Sequence, residues 1–170
     1  MIVDRTTYVD QLIRSKGNGL IKIITGLRRS GKSFLLKTLF RKHLLDEGVQ
    51  DDHIIIIDME SRKNKAFKDP DYLLDWVEDK MVDDSVYYII IDEVQEVKDF
   101  VEVLSTLSVT EGADVYVTGS NSRFLSSDVV TEFRGRGDEI HVWPLSFKEF
   151  MSVQIFQHQA SCRQIGCKYV

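Results

Sequence analysis

The stretch Gly26-Leu27-Arg28-Arg29-Ser30-Gly31-Lys32-Ser33 fits the pattern G-x-x-x-x-G-K-[ST] and stands directly behind the apolar run Leu20-Ile21-Lys22-Ile23-Ile24-Thr25. Such a loop works only when a strand delivers it and a helix opens behind it, because the free N-terminal N–H groups must face a phosphate. Both flanks are present. From Phe34 to Glu47 the residues Leu35, Leu36, Leu39, Phe40, Leu44 and Leu45 recur at helical spacing, and Gly48 follows as a C-cap. A chance match in a glycine-containing turn would not come with this strand and this helix.

Residue type sets the roles. Gly26 and Gly31 let the backbone curl into a nest of N–H donors that a Cβ would obstruct. Lys32 supplies a mobile charge for the β- and γ-phosphates, and Ser33 a hydroxyl for Mg²⁺. Leu27, Ser30 and Phe34 complete the stretch expected to contact the nucleotide. Arg28 and Arg29 are loop cations whose target is open between phosphate, a neighbouring subunit and solvent.

At 170 residues the chain fits one domain, large enough to bury a core without disulfides or metal. Its net charge of −5 argues against a nucleic-acid grip built from overall charge, so no partner of that kind is assigned. No apolar run approaches the roughly 20 residues needed to span a bilayer. Met1-Ile2-Val3-Asp4-Arg5 has an early acid and no apolar signal core, which reads as cytoplasmic with no membrane attachment. Cys162 and Cys167 have only His158 nearby and read as free thiols rather than metal ligands.

Short β-branched runs alternate with amphipathic stretches, the pattern of a parallel sheet flanked by helices. Strands are expected near 20–25, 53–58, 86–91, 114–118 and 138–142, and helices near 5–15, 33–47, 70–81, 97–108 and 121–130. Ile54-Ile55-Ile56-Ile57 and Val86-Tyr87-Tyr88-Ile89-Ile90-Ile91 are continuously apolar, as strands covered on both faces should be. Trp76, with Tyr72, Leu73 and Val77, fits a core-facing helical stripe. His43, His53, His141 and His158 show no ligand spacing and read as surface or packing residues. After Glu149 there is no acid, and Gln154, Gln157, Gln159 and Gln164 crowd the end. Gln154 to Val170 therefore reads as a polar terminal helix or tail, or as the product of a truncation or altered reading frame.

The strand at 86–91 closes on Asp92-Glu93, as a Walker B element does. Asp92 is expected to hold Mg²⁺ and Glu93 to polarise the water that attacks the γ-phosphate. A kinase must exclude water as nucleophile, so a residue poised to activate water favours hydrolysis. The fourth strand runs into Gly119-Ser120-Asn121, where Ser120 or Asn121 either senses the γ-phosphate or caps the following helix. In an open α/β sheet ligands gather outside the carboxyl ends of strands, where all three motifs fall. Arg134-Gly135-Arg136-Gly137 presents two cations on a flexible loop, to a phosphate of the same or an adjoining subunit or to solvent alone. An arginine used in the first way commonly contributes about 10³ or more to rate.

Taken in order, Ile-Thr-Gly-Leu-Arg-Arg-Ser-Gly-Lys-Ser at 24–33, Ile-Ile-Ile-Asp-Glu-Val-Gln at 89–95, Val-Thr-Gly-Ser-Asn-Ser at 117–122 and Gly-Arg…Pro-Leu-Ser-Phe-Lys-Glu-Phe at 135–150 resemble one group. The chain is similar to the AAA-domain ATPases of bacteria and archaea, related to the STAND and archaeal ATPases, from about Arg5 to Val153. The resemblance implies an α/β P-loop NTPase of the additional-strand, AAA type, whose Walker A and Walker B strands are separated by an inserted strand. It assigns Lys32 and Ser33 to nucleotide and Mg²⁺, Asp92 and Glu93 to Mg²⁺ and water, Ser120 or Asn121 to sensing, and Arg136 to the γ-phosphate. Members usually continue into a helical region and a C-terminal domain resembling restriction-endonuclease folds. The expectation is thus an isolated ATPase core over 1–153 with an atypical tail over 154–170, binding ATP and Mg²⁺ and hydrolysing weakly. A trans arginine would make it a homo-oligomer. A P-loop kinase and a nucleotide-gated interaction module with negligible turnover remain as alternatives. No Asn-Lys-x-Asp guanine-reading motif is present, which tilts the base preference toward adenine.

Overall fold

Parallel strands need long crossover connections, and the spacing of the apolar runs leaves room for a helix in most of them. The computed structural model describes residues 3, 5–119, 133, 137–147 and 149–151. Five strands, β1 (Ile21–Thr25), β2 (Ile54–Asp58), β3 (Tyr87–Asp92), β4 (Ala113–Thr118) and β5 (Gly137–His141), form one sheet in the spatial order β2-β3-β4-β1-β5. Every pairing is parallel. β4 is the inserted strand: it lies between β1, which delivers the glycine-rich loop, and β3, which ends in Asp92.

Because side chains alternate across a strand, each strand feeds two cores. Ile21, Ile23, Ile55, Ile57, Ile89, Ile91, Val115 and Val117 pack with Leu73 and Val77 of α3 (Pro70–Lys80) and with Val103, Leu104 and Leu107 of α4 (Phe100–Val109). Ile24, Ile54, Tyr88, Ile90, Tyr116 and Ile140 pack on the other face with Leu12 of α1 (Thr6–Ser15) and with Leu35, Leu36, Phe40 and Leu44 of α2. α2 is one continuous helix: Lys32–Phe34 and Arg41–Asp46 are α-helical, and Leu35–Phe40 between them is wound as a π-helix. It ends as the glycine predicts. Gly48 is left-handed (φ 90), and the N–H groups of Gly48 and Val49 donate to Leu45 and Leu44 carbonyls, both at 3.0 Å. α3 starts on Asp69, whose side chain accepts from Tyr72 N (3.0 Å), with Pro70 in the first turn.

Strand positions agree with the sequence reading within a residue. The helix expected from 97 starts three residues later, because Val94–Glu96 is a separate 3₁₀ turn and the chain reverses through a left-handed Asp99 (φ 49). Trp76 packs edge-on against Phe67 (4.9 Å between centroids), whereas Tyr72, expected on the core-facing stripe, is 48% exposed. His53 is a packing residue, bonded to Asp52 and Asp83 and laid on Tyr87. The expected helix at 121–130 and the tail from 154 lie outside the described residues.

One charge is buried inside the sheet. Lys22 interrupts the apolar run of β1 and is fully buried, with its ammonium bonded to Asp114 on β4. Asp114 also accepts from Tyr116 Oη (2.9 Å) and from the Gly17 N–H (3.0 Å), so the carboxylate is satisfied from three sides. The ammonium lies 5.2 Å from the Tyr116 ring centroid. Burial, then the charge and hydrogen bond of Asp114, push the Tyr116 hydroxyl upward, which keeps it a donor. Removing one partner of a buried pair strands the other charge. Asp114→Ala should therefore cost about 3–5 kcal/mol by urea unfolding. The double replacement Lys22→Met/Asp114→Leu should cost less than that single change, and equal losses would show that the pair is not what holds this layer.

Candidate functional site

The carboxyl ends of β1, β2, β3 and β4 bring Thr25, Asp58, Asp92 and Thr118 to one edge of the sheet. The glycine-rich loop leaves β1 there. Gly26 has φ 136, and a Cβ on it would sit 2.2 Å from the Val142 carbonyl oxygen, so only glycine lets the loop pass the segment after β5. That segment is tied in by Val142 N–H, which donates to Thr25 O (2.8 Å). Arg29 (φ 65) and Gly31 (φ 93) are left-handed, and the chain then enters α2 with no side chain capping its first N–H groups. The loop is thus a concave run of backbone donors at a helix N-terminus, which suits an anion.

The loop's side chains divide sharply. Lys32 is buried, and its ammonium curls back over the loop to donate to the carbonyls of Gly26 (3.0 Å) and Leu27 (3.1 Å). Burial holds this ammonium below the ordinary lysine range against the opposing charges of Glu93 and Asp92. Leu27, Arg28, Arg29 and Phe34 are exposed, and Arg28 stands 3.9 Å from Glu60, which is exposed too. Ser30 is buried, and its hydroxyl has no hydrogen-bond partner among the described residues.

Asp92 closes β3 as a buried carboxylate (3% exposed) that accepts from three side chains outside its own strand. Its Oδ1 accepts from Ser33 Oγ (2.8 Å) and Thr118 Oγ1 (2.6 Å), and its Oδ2 from Lys37 Nζ (2.5 Å). Lys37 also reaches Asp58 Oδ2 (2.7 Å), the register partner of Asp92 on β2. Burial alone would lower the Lys37 ammonium, but hydrogen bonds and charges from Asp58 and Asp92 outweigh it and raise it. Glu93 follows in a left-handed conformation (φ 59, ψ 52), which is rare outside glycine. Its N–H donates to Thr118 Oγ1 (2.9 Å), and its carboxylate accepts from Gln95 Nε2 (2.5 Å). Thr118 therefore holds both halves of the acid pair.

The structure brings Gly26 to Phe34 together with Asp92 and Glu93. Ser120, Asn121, Arg134 and Arg136 lie outside the described residues. Lys37, Asp58 and Thr118 were not singled out from sequence. One signal was available: Ile54-Ile55-Ile56-Ile57-Asp58 and Ile89-Ile90-Ile91-Asp92 both end an isoleucine run on an aspartate. Among the described residues no three His, Cys, Asp or Glu side chains gather to hold a metal. Ser33 and Asp92 instead offer a hydroxyl and a carboxylate, hard oxygen donors that fit Mg²⁺, an ion that keeps waters and takes phosphate oxygens.

No helix among the described residues is long and apolar enough to cross a membrane. The model of a family described as "AAA domain" matches residues 18–151. An uncharacterized protein of Haemophilus influenzae is 35% identical over 160 residues, and one of Methanocaldococcus jannaschii is 30% identical over 138. These matches take in 94% and 80% of the chain but only 40% and 29% of the two relatives, which are much longer. In fold the chain is similar to PCH-2 of C. elegans (TM-score 0.58, 14% identity, covering 99% of this chain and 46% of that one). It is also similar to the ORC2 protein of Aeropyrum pernix in its ADP form (TM-score 0.56, 14% identity, 91% and 50%). With the family match spanning the loop, the acid pair and β5, on a parallel sheet of this order, the chain belongs to the AAA domain family and carries its P-loop, ATPase-type nucleotide-binding fold.

Proposed function

We propose that this domain binds Mg·ATP and hydrolyses the β–γ phosphoanhydride. The observation that carries the reading is the hydrogen bond from Ser33 to Asp92, which joins the glycine-rich loop to an acid pair whose second member, Glu93, sits on a turn braced by Thr118. Backbone N–H groups of the glycine-rich loop cradle the phosphates. Lys32 exchanges the Gly26 and Leu27 carbonyls for the β- and γ-phosphate oxygens. Ser33 and Asp92 would hold Mg²⁺, which would supply charge neutralisation at the phosphates. Glu93 orients a water for in-line attack and accepts its proton. Asn121 or Ser120 would sense the γ-phosphate. Arg136, with Arg134, would stabilise transition-state charge, and in trans if the chain assembles with copies of itself.

Lys32→Ala should raise the Kd for Mg·ATP about 10-fold or more, the effect of losing charge-assisted hydrogen bonds to phosphate. Glu93→Gln should bind like the parent and slow phosphate release by about 10²–10⁴. A single-turnover assay with enzyme in excess over labelled Mg·ATP and no acceptor reads both. Release from Glu93→Gln at the parent's rate would sink the water-activating role. Tight binding without release from the parent would instead point to a nucleotide-gated module, a kinase awaiting its acceptor, or a core that needs a partner or further domain. Thr118→Val removes both braces at once, and should slow release while costing about 1–3 kcal/mol of stability by leaving the Glu93 N–H unpaired.

A further inference from the structure

Arg5 approaches the phosphate loop from behind. It precedes α1 in a left-handed conformation (φ 44), and its side chain is only 3% exposed. Its guanidinium donates three ways: from Nη1 to Ser30 O (2.6 Å), from Nη2 to Trp143 O (2.5 Å) and from Nε to Glu149 Oε1 (3.2 Å). It also lies 4.5 Å from the Tyr8 ring centroid, and the Tyr8 hydroxyl accepts from Trp143 N–H (3.2 Å). Five donors in a planar fork suit such a junction, where lysine would serve as a point charge only.

Two of these contacts have consequences for the loop. In a trans peptide the C=O and the following N–H point in opposite directions. With Ser30 O drawn to Arg5, the Gly31 N–H is turned away from Arg5, toward the side of the loop where a phosphate would sit. Glycine is the residue at which this peptide could most cheaply turn over, and Arg5 fills the space a side chain would use, with Nη1 3.2 Å from the position of a Gly31 Cβ. The third contact leads elsewhere. Ser146 N–H donates to Glu149 Oε2 (2.7 Å) and Glu149 N–H to Ser146 Oγ (3.2 Å), a reciprocal capping box that opens the helical turn where Phe150 N–H meets Ser146 O (2.9 Å). The carboxylate that caps this turn is the one that pairs with Arg5.

We propose that Arg5 is a positioning residue for nucleotide: it locks the Ser30–Gly31 peptide with its N–H toward the phosphates, and through Glu149 it couples nucleotide occupancy to the helical turn that starts at Ser146. The inference rests on the nucleotide-binding reading above. Arg5→Lys keeps the charge but loses the fork, and should raise the Kd for Mg·ATP about 10-fold while the single-turnover rate of bound nucleotide changes less than about 3-fold. Glu149→Ala, at a partly exposed position outside the loop, should raise the Kd about 3-fold in the parent and add nothing in the Arg5→Lys background, as coupled residues do. In hydrogen exchange, Mg·ATP should protect the amides of Glu149 and Phe150 in the parent but not in Arg5→Lys. Parent-like Kd values for both variants, with Lys32→Ala impaired, would overturn the inference and leave nucleotide binding standing. If Arg5→Lys fails to fold, the Glu149→Ala affinity and the exchange of the parent decide. Absence of Mg·ATP binding by the parent would remove both readings.

Discussion

The Asp92 carboxylate is the point at which the separate parts of the site become one object. A carboxylate at a strand end, shielded from water, needs donors for its lone pairs, and here they come from Ser33 and Lys37 on α2 and Thr118 on β4. Lys37 extends the tie to Asp58 on β2. Three neighbouring strands and the helix behind the loop are thereby held in register at the edge where a ligand would sit. The same bonds leave Glu93 little freedom, since its N–H is committed to the threonine hydroxyl that also serves Asp92. A strained left-handed residue persists only where its surroundings over-determine it, and Thr118 with Gln95 does this for Glu93.

The opposite end of the sheet is secured in another way. There the buried Lys22–Asp114 pair, with Tyr116 and the Gly17 amide, ties β1 to β4 and to the turn after α1. Buried pairs of this kind contribute little net stability but strongly disfavour arrangements that leave either charge alone. The pair therefore specifies that β4 and no other strand lies beside β1 on this side. That placement also sets Thr118, at the far end of β4, between the glycine-rich loop and Asp92. Arg5 completes the frame from behind, so an arginine grips the loop at the Ser30 carbonyl.

Local chemistry made much of this legible before any coordinates. The phosphate loop was readable because its glycines, lysine and serine fall at a fixed spacing between an apolar run and a 3.6-period run. β2 and β3 were readable because continuous apolar runs, Ile54 to Ile57 and Val86 to Ile91, mark strands covered on both faces. Asp92 and Glu93 stood out by ending such a run. The start of α4 was misplaced because Asp99, which turns the chain left-handed, is not glycine and gives no sequence warning. The capping box Ser146-x-x-Glu149 was written in the sequence and went unread.

What the sequence by itself determined is the alphabet of the fold: a glycine-rich loop suited to an anion, strands that must be buried and helices with one apolar face, each dictated by residues within a few positions of one another. What only the tertiary structure decided is which distant side chains meet. Lys37 with Asp58 and Asp92, Lys22 with Asp114, Thr118 with Glu93, and Arg5 with Ser30 and Glu149 are contacts across the sheet order β2-β3-β4-β1-β5. That order follows from how two apolar cores close at once on either side of the sheet, and no local periodicity carries it.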